Sequence, residues 1–358
     1  MGGVRSMRTF TRSSFEICLE DHIYPLKGCA LYMLDMVAVR ATQDEDANAT
    51  KEDDATPLPT YALWKELPGH LESISCVKFS PDGTLMASAS PDKTLRVWSV
   101  GGGQLVATMA GHSLGINDLS WSNDSRFICT ASDDKTIKMW DWASKTAIKT
   151  FRGHKNYVFC CSYSPDNNLI ASGSFDETVR LWDSRGGKAV AIFPAHADPI
   201  SAISFNRAGN LIASSSYDGL IRVWDIAMRQ CVKTIVDDEN PPVSFVRFSS
   251  NGKYLLSASL NSALKIWELN DNRPKKFYKG HKHEAFCISA NFSAKGKWVI
   301  TGSEDGHVLV WDLQSTTILQ RFKAHDGVVL AIDCHPTEPL IVTSSPSSGT
   351  IKLWKSGP

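Results

Sequence analysis

Histidine, serine, aspartate and tryptophan recur together along this chain, at a spacing that invites a catalytic reading. Between Gly153 and Asp183 the set is His154, Ser174, Asp176 and Trp182. A serine nucleophile, a histidine base and an orienting aspartate would make a hydrolase triad. The same set returns as His70, Ser90, Asp92 and Trp98, as His112, Ser132, Asp134 and Trp140, and as His196, Ser216, Asp218 and Trp224. One active site needs one copy. Recurrence points instead to a buried hydrogen-bond network that ties a loop to a tight turn in each of several similar units.

The elements that must position these residues follow from the period. Tryptophans at 98, 140, 182, 224, 267, 311 and 354 are separated by 42, 42, 42, 43, 44 and 43 residues, the period of WD40 repeats. Each unit reads as short strands between turns and cannot bury both faces alone. Seven units of four strands predict an all-β, seven-bladed WD40 propeller, whose only free edges are short and protected. The last unit ends at Trp354 with no room for a fourth strand. Tyr61 to Leu67, just ahead of the first Gly-His pair, is therefore expected to pair beside the strand ending at Trp354. The fifth unit departs most from the pattern, with Asp237-Asp238 in place of Gly-His and Asn261 in place of the turn Asp. Each missing member should remove one buried bond, about 0.5–1.5 kcal/mol, without opening the ring.

Composition narrows the class. The chain has 358 residues, 42% of them hydrophobic, and no net charge. That balance argues against nucleic-acid binding, which needs clustered Lys and Arg. Nine scattered cysteines with no C-x-x-C pair read as small core residues in a reducing compartment, the adjacent Cys160 and Cys161 on opposite faces of one strand. Residues 1–57 stand outside the repeat and are expected to be mostly disordered, and 58–358 to form one propeller domain. Met1 to Ser6 fits the loose myristoylation pattern at Gly2, residues 31–39 could form a short docking helix, and 44–54 read as an acidic tether. Ile17 to Val39 is too interrupted by charge to span a membrane. No phosphate loop, dinucleotide fingerprint or zinc motif is present, so no enzyme, metal or cofactor is expected.

Propellers bind at the mouth of the central channel, so variation at one repeat position is informative. One residue past an apolar core position come Ser75, Asn117, Phe159, Ser201, Ser244 and Leu330. A single aromatic in a mostly small, polar ring suits a slot with one stacking wall. Asp118 and Asp133 could supply charge, and Phe175 and Tyr217, at the tight turns, further walls. Such a slot fits a flat cation, an arginine side chain. The other reading, that Phe159 is core, stands equally open from the pattern alone.

From Tyr61 to Lys355 the sequence resembles the WD-repeat scaffold subunit of the COMPASS and mixed-lineage-leukaemia histone methyltransferase complexes. The runs that carry the resemblance include SDDKTIKMWD (132–141), HKNYVFCC (154–161), SGSFDETVRLWD (172–183), SSSYDGLIRVWD (214–225), DDENPPVSFVRFSSNGKY (237–254) and GTIKLWKS (349–356). The resemblance implies a non-catalytic nuclear adaptor, monomeric by itself. It also implies a channel pocket that accepts an Arg of a histone tail or of the methyltransferase, and a groove on the opposite face for a second core subunit. Ser75, Asp118, Asp133, Phe159, Phe175, Ser201, Tyr217 and Cys287 match the implied pocket, with Asn117 in place of a Ser. The family's second stacking Phe is Ser289 here, a wall Ala is Pro91, a wall Leu is Pro346, and a Lys-Tyr pair is Ala285-Phe286. Loss of one ring of two implies an arginine pocket weaker by about 0.5–2 kcal/mol, unless Phe286 compensates. Asn251, Tyr254, Ile266, Phe292 and Gln314 match the implied groove, with Ala294 for a Val. The alternative is a WD scaffold of an unrelated assembly, such as a ribonucleoprotein or ubiquitin-ligase complex.

Overall fold

Strands of three to eight residues alternate with turns built on Ser-Pro-Asp, Asn-Asp and Asn-Gly sequences, and they pair into seven separate four-stranded antiparallel sheets. The computed structural model describes residues 58–271 and 273–357, so the readings made for residues 1–57 lie outside the described residues. Residues from Leu58 onward form one compact unit. Blades are numbered in chain order. Their innermost strands touch one another in sequence, and the last touches the first, so the ring is closed. Among the described residues no helix is long and apolar enough to cross a membrane.

Blade 3 shows why the sequence folds this way. Its strands are Val158–Tyr163, Leu169–Ser174, Thr178–Asp183 and Ala189–Pro194. The outermost alternates exposed and buried positions, because only one of its faces meets a neighbouring blade. The second strand is buried almost throughout and carries Ala, Ser and Gly where blades converge on the axis. Gly173 is required there: a Cβ would lie 2.5 Å from Ile200 Cγ2 and 2.7 Å from Cys160 Sγ, so any larger residue would push blade 4 away. Cys160 packs into the core between blades 3 and 4, and Cys161 into that between blades 2 and 3, as the strand period requires.

The ring closes as the period predicts. Strand Tyr61–Pro68 pairs antiparallel with Thr350–Ser356, from Tyr61 opposite Ser356 to Pro68 opposite Thr350, with a bulge between Leu63 and Lys65. Tyr61 is buried against Trp298 and Phe322, each ring 6.4 Å away, and Leu67 joins the core shared by blades 7 and 1. The N-terminal strand thus bolts the C-terminal blade shut through both backbone bonds and apolar burial.

Candidate partner-binding surfaces

In blades 1 to 4 the recurring polar residues form one repeated chain of hydrogen bonds, but not with the serine that spacing suggests. In blade 3, Trp182 Nε1 donates to Ser172 Oγ (2.8 Å), Ser172 contacts His154 Nε2 (2.8 Å), and His154 Nδ1 lies 2.9 Å from Asp176. Since the carboxylate only accepts, Nδ1 carries the proton and Ser172 donates to Nε2. Ser88, Thr130 and Ser214 take this place in blades 1, 2 and 4. Ser174 instead donates to the Tyr157 carbonyl (2.7 Å) and accepts from the Asp176 amide (3.0 Å), and Ser90 does likewise with Ser73 and Asp92. Burial works to raise the Asp92, Asp134 and Asp176 carboxyls, yet the paired histidines hold them well below the ordinary range. Ser172, His154 and Trp182 are buried and the set repeats in four blades, as a structural clasp does.

Blade 5 keeps the Trp267–Ser257 bond (2.8 Å), while Asp237 forms an ion pair with Lys265 in place of the histidine link. The network of blade 6 is altered as well, although its sequence retains Gly280, His281, Ser303, Asp305 and Trp311. There Thr301 Oγ1 donates to the Ser289 carbonyl (3.0 Å), Asp305 turns to Arg321 (2.6 Å), and Trp311 reaches only the Lys279 carbonyl (3.3 Å). Neither ring nitrogen of buried His281 has a partner, and burial beside His283 pushes its pKa down to about 4.

At the channel mouth the small polar ring has a structural task. Asn117 donates to the Val158 carbonyl (3.0 Å), Ser201 to that of Val243 (2.6 Å), and Ser75 to those of Ala89 and Ile116, each stitching one inner strand to the next. Phe159 interrupts the stitching. It is half-buried on the innermost strand, 5.8 Å from Phe175, which in turn meets Tyr157 at 6.0 Å. It is therefore not sealed within the core. Asp133 is half-buried and receives the Asn117 amide at 2.6 Å, and burial raises its pKa against that bond. Asp118 is differently placed: its oxygens accept from Leu119 (2.8 Å), Cys76 (3.1 Å) and Cys161 (3.0 Å), so it braces blades 1 to 3 instead of offering a free charge.

On the far side of the mouth, Tyr217 Oη lies 2.9 Å from Cys287 Sγ. Ser289 does not stand in as a shortened stacking residue. Its hydroxyl accepts from the Ile332 amide (2.8 Å) and its amide donates to the Leu330 carbonyl (3.1 Å), which bind it to blade 7. A residue that the spacing argument passed over is Glu304. It occupies the same place before the turn Asp as Asp133, Phe175 and Tyr217, so the repeat register itself was the available signal.

The opposite face carries a cleft of about 1040 Å³ lined by residues of blades 5, 6, 7 and 1. Asn251, Tyr254, Ile266, Phe292, Ala294 and Gln314 all line it. Tyr254 and Phe292 are half-buried, packed on the blade 5–6 core with a face toward the cleft. Ile266 is 5% exposed and forms its floor. The Gln314 side-chain oxygen accepts from Lys276 (3.0 Å). Residues that sequence reasoning missed complete the inner end. Asp333 accepts from Asn291 (2.6 Å) and from the Phe79 amide (2.9 Å), and Arg247 stands 3.7 Å from it at the channel.

With this geometry in view, comparison with known proteins is decisive for the family. The WDR5 beta-propeller domain matches residues 66–355. The chain belongs to that family. Partial relatives include protein Mut11 of Chlamydomonas reinhardtii, 40% identical over 75 residues, covering 19% of this chain and 20% of that protein. The nuclear distribution protein PAC1 of Coccidioides posadasii (strain C735) is 43% identical over 61 residues, 15% of this chain and 13% of that one. Apoptotic protease-activating factor 1 of Danio rerio is 45% identical over 47 residues, 11% and 4% respectively. The chain thus spans a fifth or less of each of these curated relatives. A propeller of this family suggests a scaffold for protein–protein interaction.

Proposed function

We propose that this propeller is a non-catalytic, nuclear adaptor that holds peptide segments of a histone lysine methyltransferase complex. The observation that carries the reading is the cleft. Six residues of blades 5 and 6, spread from Asn251 to Gln314 and picked out by resemblance alone, line this single cleft. Tyr254 and Phe292 give it the partly buried aromatic anchors that concentrate binding energy at interfaces. A core subunit of the complex is the proposed occupant.

The channel mouth is the second surface. Phe159 backed by Phe175 offers a face for a guanidinium, and a cation beside Asp133 would relieve the burial that raises its carboxyl. With Ser289 bound to blade 7, the slot has one aromatic wall fewer, and arginine binding is weakened accordingly.

Affinity purification of the tagged full chain from nuclei tests the reading. Methyltransferase core subunits should be recovered with the unaltered protein and lost, at unchanged melting temperature, with Tyr254→Ala combined with Phe292→Ala. Recovery of ribonucleoprotein or ubiquitin-ligase subunits in their place would overturn it.

A further inference from the structure

Blade 6 differs from its neighbours in how its innermost strand begins. In blade 3 that strand starts at Val158, four residues after His154, whereas in blade 6 it starts only at Ala290. Residues 281–289 therefore form a strap outside any strand, and the strap brings Cys287 to Tyr217 of blade 4.

Three side chains hold the strap: Ser303 and Ser262 accept the amides of Lys282 and His283 (both 2.9 Å), and Glu304 holds its middle. Glu304 Oε1 accepts the consecutive amides of Glu284 (2.7 Å), Ala285 (2.6 Å) and Phe286 (3.1 Å). Three successive N–H groups converging on one oxygen make an anion-binding nest, filled here by the chain's own carboxylate. Burial would raise the Glu304 carboxyl, but these amides hold it below the ordinary glutamate range. From this anchor the strap reaches sideways. His283 Nε2 bonds the Phe286 carbonyl (2.7 Å) and lies 3.1 Å from Ser244 Oγ in blade 5, and Cys287 meets Tyr217 of blade 4. The blade's own clasp is given up in the process, with His281 unpartnered and Asp305 turned to Arg321.

We propose that Glu304 is the positioning residue of the channel-mouth site, fixing the strap so that Phe286 and Cys287 form the wall opposite Phe159. The inference rests on the reading of that mouth as a peptide site. Glu304 acts through the strap and touches no ligand itself. A neutral acceptor in its place should hold the same amides less firmly, since hydrogen bonds to an ionised acceptor are about twice as strong as neutral ones.

The test compares the full chain with Glu304→Gln and Glu304→Ala in three measurements: hydrogen exchange of residues 282–288, alkylation of Cys287 by iodoacetamide against exposed Cys231 as internal reference, and titration with an arginine-bearing histone-tail peptide. Glu304→Ala should raise strap exchange about tenfold or more with the rest of the ring unchanged. It should also speed Cys287 alkylation and weaken the peptide severalfold through faster dissociation, with Glu304→Gln between. Unchanged strap exchange and alkylation in Glu304→Ala would overturn the proposal. So would faster exchange with unaltered peptide affinity, which would leave Glu304 as a loop anchor only. If the unaltered protein binds no such peptide, the arginine reading falls, and the wall assigned to Glu304 falls with it unless exchange and alkylation still respond.

Discussion

Ser172→Ala separates the clasp seen in the structure from the one that spacing suggests. The substitution removes a hydroxyl that serves two buried partners, Trp182 Nε1 and His154 Nε2, both at 2.8 Å. Each is left without a partner where water has little access, at a cost of about 1–3 kcal/mol apiece, so the loss is about 2–6 kcal/mol. At roughly 2.1 cal/mol/K of unfolding entropy per residue, a domain of about 290 residues loses about 1.6 °C per kcal/mol. Calorimetry should therefore find Tm lowered by about 3–10 °C. Ser174→Ala removes bonds to backbone groups near the turn, where water can substitute, and should cost about 1 kcal/mol, or 1–2 °C. Thr301→Val in blade 6 is an internal control. Thr301 serves neither His281 nor Trp311, so its loss should fall well short of that of Ser172. A drop for Ser174→Ala equal to or larger than that for Ser172→Ala would refute the assignment.

Two further outcomes follow from the same geometry. His281, His283 and His325 are pushed down to about 4 by burial, so each folded ring stays neutral at a pH where the unfolded ring is charged. Their contribution is present in full above the unfolded value near 6.5 and is lost as pH falls through 4, at up to about 1.4 kcal/mol per pH unit per histidine. Urea melts between pH 7.5 and 4.5 should show this decline, and a flat profile would remove it. In calorimetric titration, an arginine-bearing histone-tail peptide should bind through Phe159, and Phe159→Ala should weaken it by about 0.5–2 kcal/mol. Tight binding indifferent to Phe159 would place the peptide elsewhere.

The tryptophan period made the blade count legible, and the absence of a fourth strand after Trp354 made the closing strand legible too. The clasp was legible only in outline. Ser172 and Ser174 are two residues apart and share a face of one strand, so spacing cannot choose between them. The altered network of blade 6 was not legible for a different reason. It keeps every residue of the motif, yet Ser289 and Arg321 compete successfully for Thr301 and Asp305, and nothing in a local pattern reveals such partners. Tyr254 and Phe292 pack on the core of blades 5 and 6. Only the cleft above them distinguishes a binding face from packing.

On the proposed function, a partner chain docks in the cleft lined by Tyr254 and Phe292. A hydrogen-exchange footprint of the purified chain, alone and with its co-purifying partner, tests it most directly. Exchange should slow in residues 249–254 and 291–296 and stay unaltered along the outer strands Leu105–Ala110 and Ala189–Pro194. Protection on those outer strands, with the cleft segments exchanging as fast as in the free protein, would contradict the account.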